Sequence, residues 1–239
     1  RVIAIFERFI LENPKEYLWT YKIWKRSQTS DLLIISDGKA GHLHQSEAAG
    51  KLVQEVLAER NIEARVIKSE AVFKNKFFRF LFNICVFFLR RHSLKGCASS
   101  LKHFLRRDSF EKLSFLTPDI IITAGSSLAG LNLVLSSNNL SKSIAIMRPS
   151  YFGLKRFSLV IAPRHDRLKE RKNLVITDAS LNLINEESLG RATKDLINKK
   201  SLNEKALYIS LLIGGDSKNF KLSASCVAVV IEELKKLSE

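Results

Sequence analysis

Short apolar runs with strand character recur along this chain at residues 32–36, 64–68, 119–123, 143–147, 159–162, 174–177 and 207–213. Helix-period stretches at 45–60, 126–136, 186–199 and 222–237 lie between many of them. This alternation limits what the chain can fold into, because consecutive parallel strands need crossover connections that cover both faces of the sheet. The expected class is α/β with a doubly wound parallel sheet. A polar stretch, "NKKSLNEK" at 198–205, sets the seventh run apart as the start of a new strand, glycine loop and helix. Three segments follow: a helical one over 1–30 that ends in the polar "RSQTSD", a main α/β domain over 31–200, and the beginning of a second α/β domain over 206–239.

Composition narrows the partners. The 239 residues are 46% hydrophobic and 26% charged, which is globular rather than disordered. A net charge of +15 implies an anionic partner: nucleic acid, anionic lipid head groups or a phosphorylated substrate. Cys85, Cys97 and Cys226 are scattered, form no disulfide framework or zinc pattern, and suit a reducing compartment. The first 26 residues mix charged and aromatic side chains without the continuous apolar stretch of a signal peptide. The lack of an initiator methionine suggests a piece of something longer.

The first strand runs into "SDGKAGHLHQ". Gly38 and Gly41 are expected to allow positive φ and close backbone approach to a ligand at the N-terminus of the following helix. Such a loop sits outside the carboxyl edge of an open α/β sheet, where ligands bind. His42 and His44 can exchange protons near neutral pH. The alternative is a tight strand-to-helix turn with surface histidines, and no third ligand supports a His-x-His zinc pair, so no metal is expected. After the seventh run, "LLIGGDSKNFKL" repeats the pattern: Gly214 and Gly215 offer backbone N–H groups, Ser217 a hydroxyl, and Lys218 a charge for a phosphate. Two glycine loops, one opening each domain, point to a ligand held between them; two ordinary strand-to-helix turns are the other reading. Neither loop is G-x-G-x-x-G or a P-loop.

"DGKAGHLHQSEAAGKLVQEV", "PDIIITAG", "IAIMRP", "FSLVIAPRHD", "NLVITDASLNLIN" and "LIGGDSKNF", in that order, resemble successive motifs of the mitochondrial fission Elm-type family, whose bacterial members carry a glycosyltransferase description. The resemblance implies a GT-B-like architecture of two Rossmann-like domains, acceptor on the first and nucleotide-sugar donor mainly on the second. It offers His42 as general base, as the related peptidoglycan N-acetylglucosaminyl transferase also carries a Gly-Gly-His in this loop. Asp37, Gly38, Gly41, Gln45, Gly125, Ser126, Gly214, Gly215, Ser217 and Lys218 are the implied substrate and phosphate contacts, with the nucleotide-sugar as a substrate and no cofactor. Where the family usually has two arginines after "AG", this chain has Ser126 and Ser127. The second domain would be cut short at Glu239, and the isolated chain is expected to be inactive on that account.

A second resemblance covers residues 7–27, "ERFILENPKEYLWTYKIWKRS", which is similar to the C-terminal tail of the lipid A lauroyl and myristoyl acyltransferases. It implies a fusion or joined reading frame. Trp19, Tyr21 and Trp24 with Lys22 and Lys25 otherwise suit an interfacial amphipathic helix. "HFLRRD", from His103 to Asp108, has the acyltransferase His-to-Asp spacing but follows the tail, and is rejected as a site.

Residues 68–112 hold eleven Lys and Arg against Glu70, Asp108 and Glu111, interleaved with "FFRFLFNICVFFL". That run is too short to span a bilayer and is broken by Arg79. Phe77, Phe78, Arg79, Arg90, Arg91, Arg106 and Arg107 are read as a basic, aromatic surface lying on an anionic membrane, against the alternative of a core helix with solvated lysines. Nucleic acid is not expected, since no helix-turn-helix, RNP or zinc pattern accompanies the charge. Three function classes stand: a glycosyltransferase acting on a lipid-linked acceptor at the cytoplasmic face of the inner membrane, a non-enzymatic membrane-associated scaffold, or a nicotinamide-dependent Rossmann enzyme with Glu70 on a ribose.

Overall fold

The computed structural model describes residues 2–13, 28–89, 91–150, 152–203, 208, 211–214 and 221–236. The chain divides into two compact units, Arg1–Leu183 and Ile184–Glu239.

The first unit is built on a six-stranded sheet: β1 (Thr29–Ser36), β2 (Glu63–Glu70), β3 (Ile120–Ala124), β4 (Lys142–Ile146), β5 (Leu159–Pro163) and β6 (Leu174–Thr177). The spatial order is β2-β1-β3-β4-β5-β6, and every pairing is parallel. Its helices are α1 (Val2–Glu12), α2 (Ala40–Ala58), α3 (Lys76–Phe88), α4 (Arg107–Ser114) and α5 (Ala129–Asn139). The expected doubly wound α/β sheet is present, a Rossmann-like domain. The reason is visible in β1, whose Leu32, Leu33, Ile34 and Ile35 are all buried. Leu32 and Ile34 face Ala49 of α2, whereas Leu33 and Ile35 join the cluster containing Phe82 of α3 and Leu131 of α5. A strand covered on both faces must be apolar at consecutive positions rather than alternate ones.

The edges differ. β2 alternates exposed and half-buried residues, and β6 leaves Val175 and Ile176 exposed. Between β2 and β3, residues 72–75 turn back beside residues 104–106: Phe73 and Leu105 form an antiparallel bridge, and Lys74 N–H donates to the Phe104 carbonyl. Ser109 stitches this exit to α4, its hydroxyl donating to the Glu70 carbonyl and accepting from Val72 N–H.

The second unit contains α6 (Glu186–Lys200) and α7 (Ala224–Lys236). Asn185 caps α6 through a reciprocal capping box with Ser188, with side chain to backbone in both directions. The expected seventh strand is not formed by its described residues, since Tyr208 and Leu211 to Ile213 are in no regular element and are exposed. A strand exists only through a partner's hydrogen bonds, which no local sequence supplies.

Candidate functional site

A parallel sheet of order 2-1-3-4-5-6 reverses direction between β1 and β3, and the carboxyl edge beside that reversal leaves a crevice not filled by a crossover. The loops leaving β1 and β3 meet there. After Ser36, Gly38 takes φ +81, and Lys39 is the N-cap of α2, so His42 falls in the helix's first turn with Asp37 behind it. His42 Nδ1 lies 3.0 Å from Asp37 Oδ1 and 3.1 Å from Oδ2. From the β3 loop, Ser127 Oγ donates to Asp37 Oδ2 at 2.9 Å, and Lys39 Nζ stands 3.5 Å from the same oxygen.

Asp37 is 8% exposed and His42 19%. Burial by itself would raise the Asp37 carboxyl pKa, but the Ser127 hydrogen bond, the charge and hydrogen bond of His42 and the charge of Lys39 outweigh it, and the pKa lies below the ordinary value. An ionised Asp37 only accepts hydrogen bonds, so the proton of a neutral His42 sits on Nδ1 and Nε2 keeps its lone pair. This is an oriented imidazole base with a carboxylate behind it.

Gly125 makes that geometry possible. It has φ +79, and a Cβ built on it would lie 2.6 Å from His42 Cε1, so the ring occupies the space a side chain would need. Gly41 differs from expectation: it lies within α2, is not in the positive-φ region, and has open space where a Cβ would be. Helix nucleation at Ala40 absorbs it, leaving Gly38 alone to make the turn.

His42, Ser126 and Ser127 line one side of a cleft of about 640 Å³. The other side is α3, through Arg79, Phe80, Phe87 and Phe88. Asn75 caps this helix, accepting from Phe78 N–H at 2.9 Å, and the spacing of Phe82 and Val86 turns those residues inward. Phe78 is half-buried, edge-on to Phe104 with ring centroids 6.4 Å apart. Phe77, Phe80, Phe87 and Phe88 remain exposed, Phe88 at 78%. α3 comes close to α5 because Gly130 leaves room for Asn83 and Phe82; a Cβ there would sit 2.6 Å from Asn83 Oδ1. At its far end Arg156 donates to the carbonyls of Val86 (3.0 Å), Phe87 (3.4 Å) and Leu89 (2.9 Å), a charge placed on the orphan carbonyls of a helix C-terminus. Burial lowers the Arg156 pKa.

Of the residues expected from sequence, Asp37, His42, Gly125 and Ser126 come together, and Gly38 turns the loop. Gln45 is half-buried on α2, and His44 is exposed. Arg91 lies in a short 3-10 segment (Arg91–Leu94), while Arg107 is fully exposed and paired with Glu111 at 2.7 Å. Gly214 is described in no regular element. Gly215, Ser217, Lys218 and Arg90, with Trp19, Tyr21 and Trp24 of the tail, lie outside the described residues. Sequence reasoning missed Ser127 as the clamp on Asp37 and Arg156 as the cap of α3; no local pattern marks either. Among the described residues no three His, Cys, Asp or Glu side chains converge as metal ligands, and no helix is long and apolar enough to cross a membrane.

The fold and loop geometry therefore define a Rossmann-like α/β domain with an imidazole–carboxylate pair at its switch point. The sequence model of the mitochondrial fission ELM1 family matches residues 40–239, and the chain belongs to that family. No curated protein matches it.

Proposed function

We propose that the protein is a glycosyltransferase that moves a sugar, with inversion, from a nucleotide-diphosphate donor to a hydroxyl of a lipid-linked acceptor, working peripherally at the cytoplasmic face of the inner membrane. The observation that carries the reading is the His42–Asp37 pair, 3.0 Å apart, at the mouth of a cleft walled by exposed phenylalanines. The acceptor oxygen attacks the anomeric carbon as its proton passes to His42 Nε2, and the bond to the nucleoside diphosphate breaks. Asp37 stabilises the imidazolium formed, and Ser127 holds Asp37 in place. The departing diphosphate needs backbone N–H groups and a cation, residue types that the sequence carries at Gly214, Gly215, Ser217 and Lys218.

Family membership supports the reading, because the family is glycosyltransferase-like in fold. The exposed face of α3 supports a lipid-linked acceptor, since an acyl or prenyl chain lying along Phe80, Phe87 and Phe88 buries apolar surface that the fold leaves wet. The tail resemblance suggests lipid A or another envelope glycolipid as the acceptor class.

The test is radiolabelled sugar transfer from a panel of nucleotide sugars into membrane lipid extract by the full-length protein. Turnover is expected, with His42→Ala reducing it by roughly a hundredfold or more while donor binding persists. Silence across the panel, together with an His42→Ala gene that still complements a deletion, would replace the enzyme by the membrane-associated scaffold.

A further inference from the structure

A second cavity, of about 280 Å³, opens on the other side of Asp37 and Ser127. Lys74, Lys76, Arg79 and Arg106 line it, with the carboxylates of Asp37 and Glu70. The fold assembles these cations from distant positions: the antiparallel bridge between Phe73 and Leu105 pairs Lys74 with Phe104 and Arg106 with Val72, so both cations reach one cavity, and the start of α3 brings Lys76 and Arg79. Like charges lining one cavity repel. Among the described residues none of the four is in an ion pair, although Asp108 and Glu111 lie on the adjoining helix. Lys74 is held 5.8 Å over the Phe78 ring, which fixes its position without neutralising it. Asp37 is already engaged by Ser127, His42 and Lys39, so Glu70 is the one lining carboxylate without an ion-pair partner among the described residues.

The N-terminus of α3 adds to the field. Asn75 satisfies the Phe78 N–H, and the Lys76 and Phe77 N–H groups have no protein acceptor among the described residues. Helix dipole and four side-chain cations together leave the cavity positive. Lys76, Arg79 and Ser127 line both this cavity and the cleft that contains His42.

We propose that this cavity is a phosphoryl-anion subsite, holding a phosphate or diphosphate group of the molecule whose hydroxyl His42 addresses. Arg79, half-buried in the first turn of α3, grips two phosphoryl oxygens as a fork, and Lys74, Lys76 and Arg106 supply point charges around it. The assignment deepens the transferase reading and rests on it for the role of the bound group, but the binding itself does not depend on turnover.

Binding of inorganic pyrophosphate to the full chain, followed by titration calorimetry, tests the subsite. Wild type and His42→Ala are expected to bind alike, Arg79→Gln with Arg106→Gln to bind about tenfold or more weakly, and the exposed Lys112→Gln to be unchanged, with affinity falling as salt rises. Circular dichroism melts confirm that the variants are folded, and single Lys74→Gln gives a milder substitution on the same cavity. Two further arms separate the sources of the group: a water-soluble short-chain prenyl diphosphate, and phosphatidylglycerol vesicles. Tight prenyl diphosphate binding marks an acceptor phosphate, vesicle capture lost in the same variants marks a lipid head group, and either supports the subsite. Absence of binding to all three ligands, or equal binding by folded Arg79→Gln with Arg106→Gln, overturns it. If sugar transfer fails while pyrophosphate binding behaves as expected, the transferase reading falls and the subsite stands.

Discussion

α2 follows the interior strand β1 and α3 the edge strand β2 of the same sheet, and they use their residues in opposite ways. α2 buries Ser46, Ala48, Ala49 and Gly50, small side chains that let it lie close on the sheet; a Cβ on Gly50 would approach Ile34 Cδ1 to 3.0 Å. Its N-terminus is thereby fixed, and with it the His42 ring. α3 buries Phe82, Asn83 and Val86 and leaves four phenylalanines in water. Packing explains the close approach of α2 around Ser46 to Gly50, where Leu52 and Val56 are the large apolar side chains left exposed, but only one face of the phenylalanine-rich α3. The first helix is built to hold a side chain still, while the second presents a surface that its own fold does not require.

The sharpest way to break the rigid half of this contrast is Gly125→Ala. The positive φ alone costs about 1–2 kcal/mol, and the new Cβ meets the His42 ring at 2.6 Å. Melting temperature and sugar transfer should both fall, the latter by roughly a hundredfold because the ring must move; an unchanged rate would mean His42 does not need its observed place.

Arg156→Met tests whether α3 is anchored at its end. Three carbonyls lose a charged donor, and a loss of about 2 kcal/mol in urea denaturation is expected. A change within measurement error would show that α5 alone holds the helix.

The Asp37 clamp should appear as a pH dependence. Its folded pKa lies below the ordinary 3.8, so between the two values the unfolded chain binds more protons and stability rises with pH. The contribution is therefore complete above the unfolded value and is lost as pH falls through the folded one. Urea denaturation of wild type and Asp37→Asn across acidic pH checks this: the two profiles should converge at the acid end. Parallel profiles would assign the clamp no role.

The smallest effect on the fold belongs to Phe87→Ser with Phe88→Ser. Stability should change by no more than about 0.5 kcal/mol, since both rings are exposed. Binding to anionic vesicles in a co-sedimentation assay should nonetheless fall by about tenfold or more. Destabilisation with unchanged vesicle binding would make α3 an ordinary packed helix.

The six strands of the main sheet were legible because each carries its own apolar run, and consecutive apolar residues at 32–35 already signal a strand covered on both faces. The seventh, expected over 207–213 on the same kind of run, is not formed at its described positions. Apolarity is a property of the segment, whereas a strand needs a neighbour. His42 and Gly38 could be singled out because strand, glycine and helix start are adjacent in the chain. Gly38 and Gly41 are equally marked by the sequence but only Gly38 takes a positive φ, because a pattern shows which residues permit that conformation and not which one adopts it.

The parallel α/β class, the excess of positive charge and the loop that presents His42 can be read from residue order, because each depends on composition or on neighbours within a few residues. Long-range packing is what makes Ser127, ninety residues on, clamp Asp37, Gly125 leave room for the imidazole, Arg156 cap α3, and Lys74 and Arg106 share a cavity with Arg79. Apart from the Arg156 cap, which lies at the far end of α3, those relations are contacts between segments at the carboxyl edge of the sheet. Strand order sets which loops meet there, and strand order is fixed by packing over the whole domain rather than by any local stretch of residues.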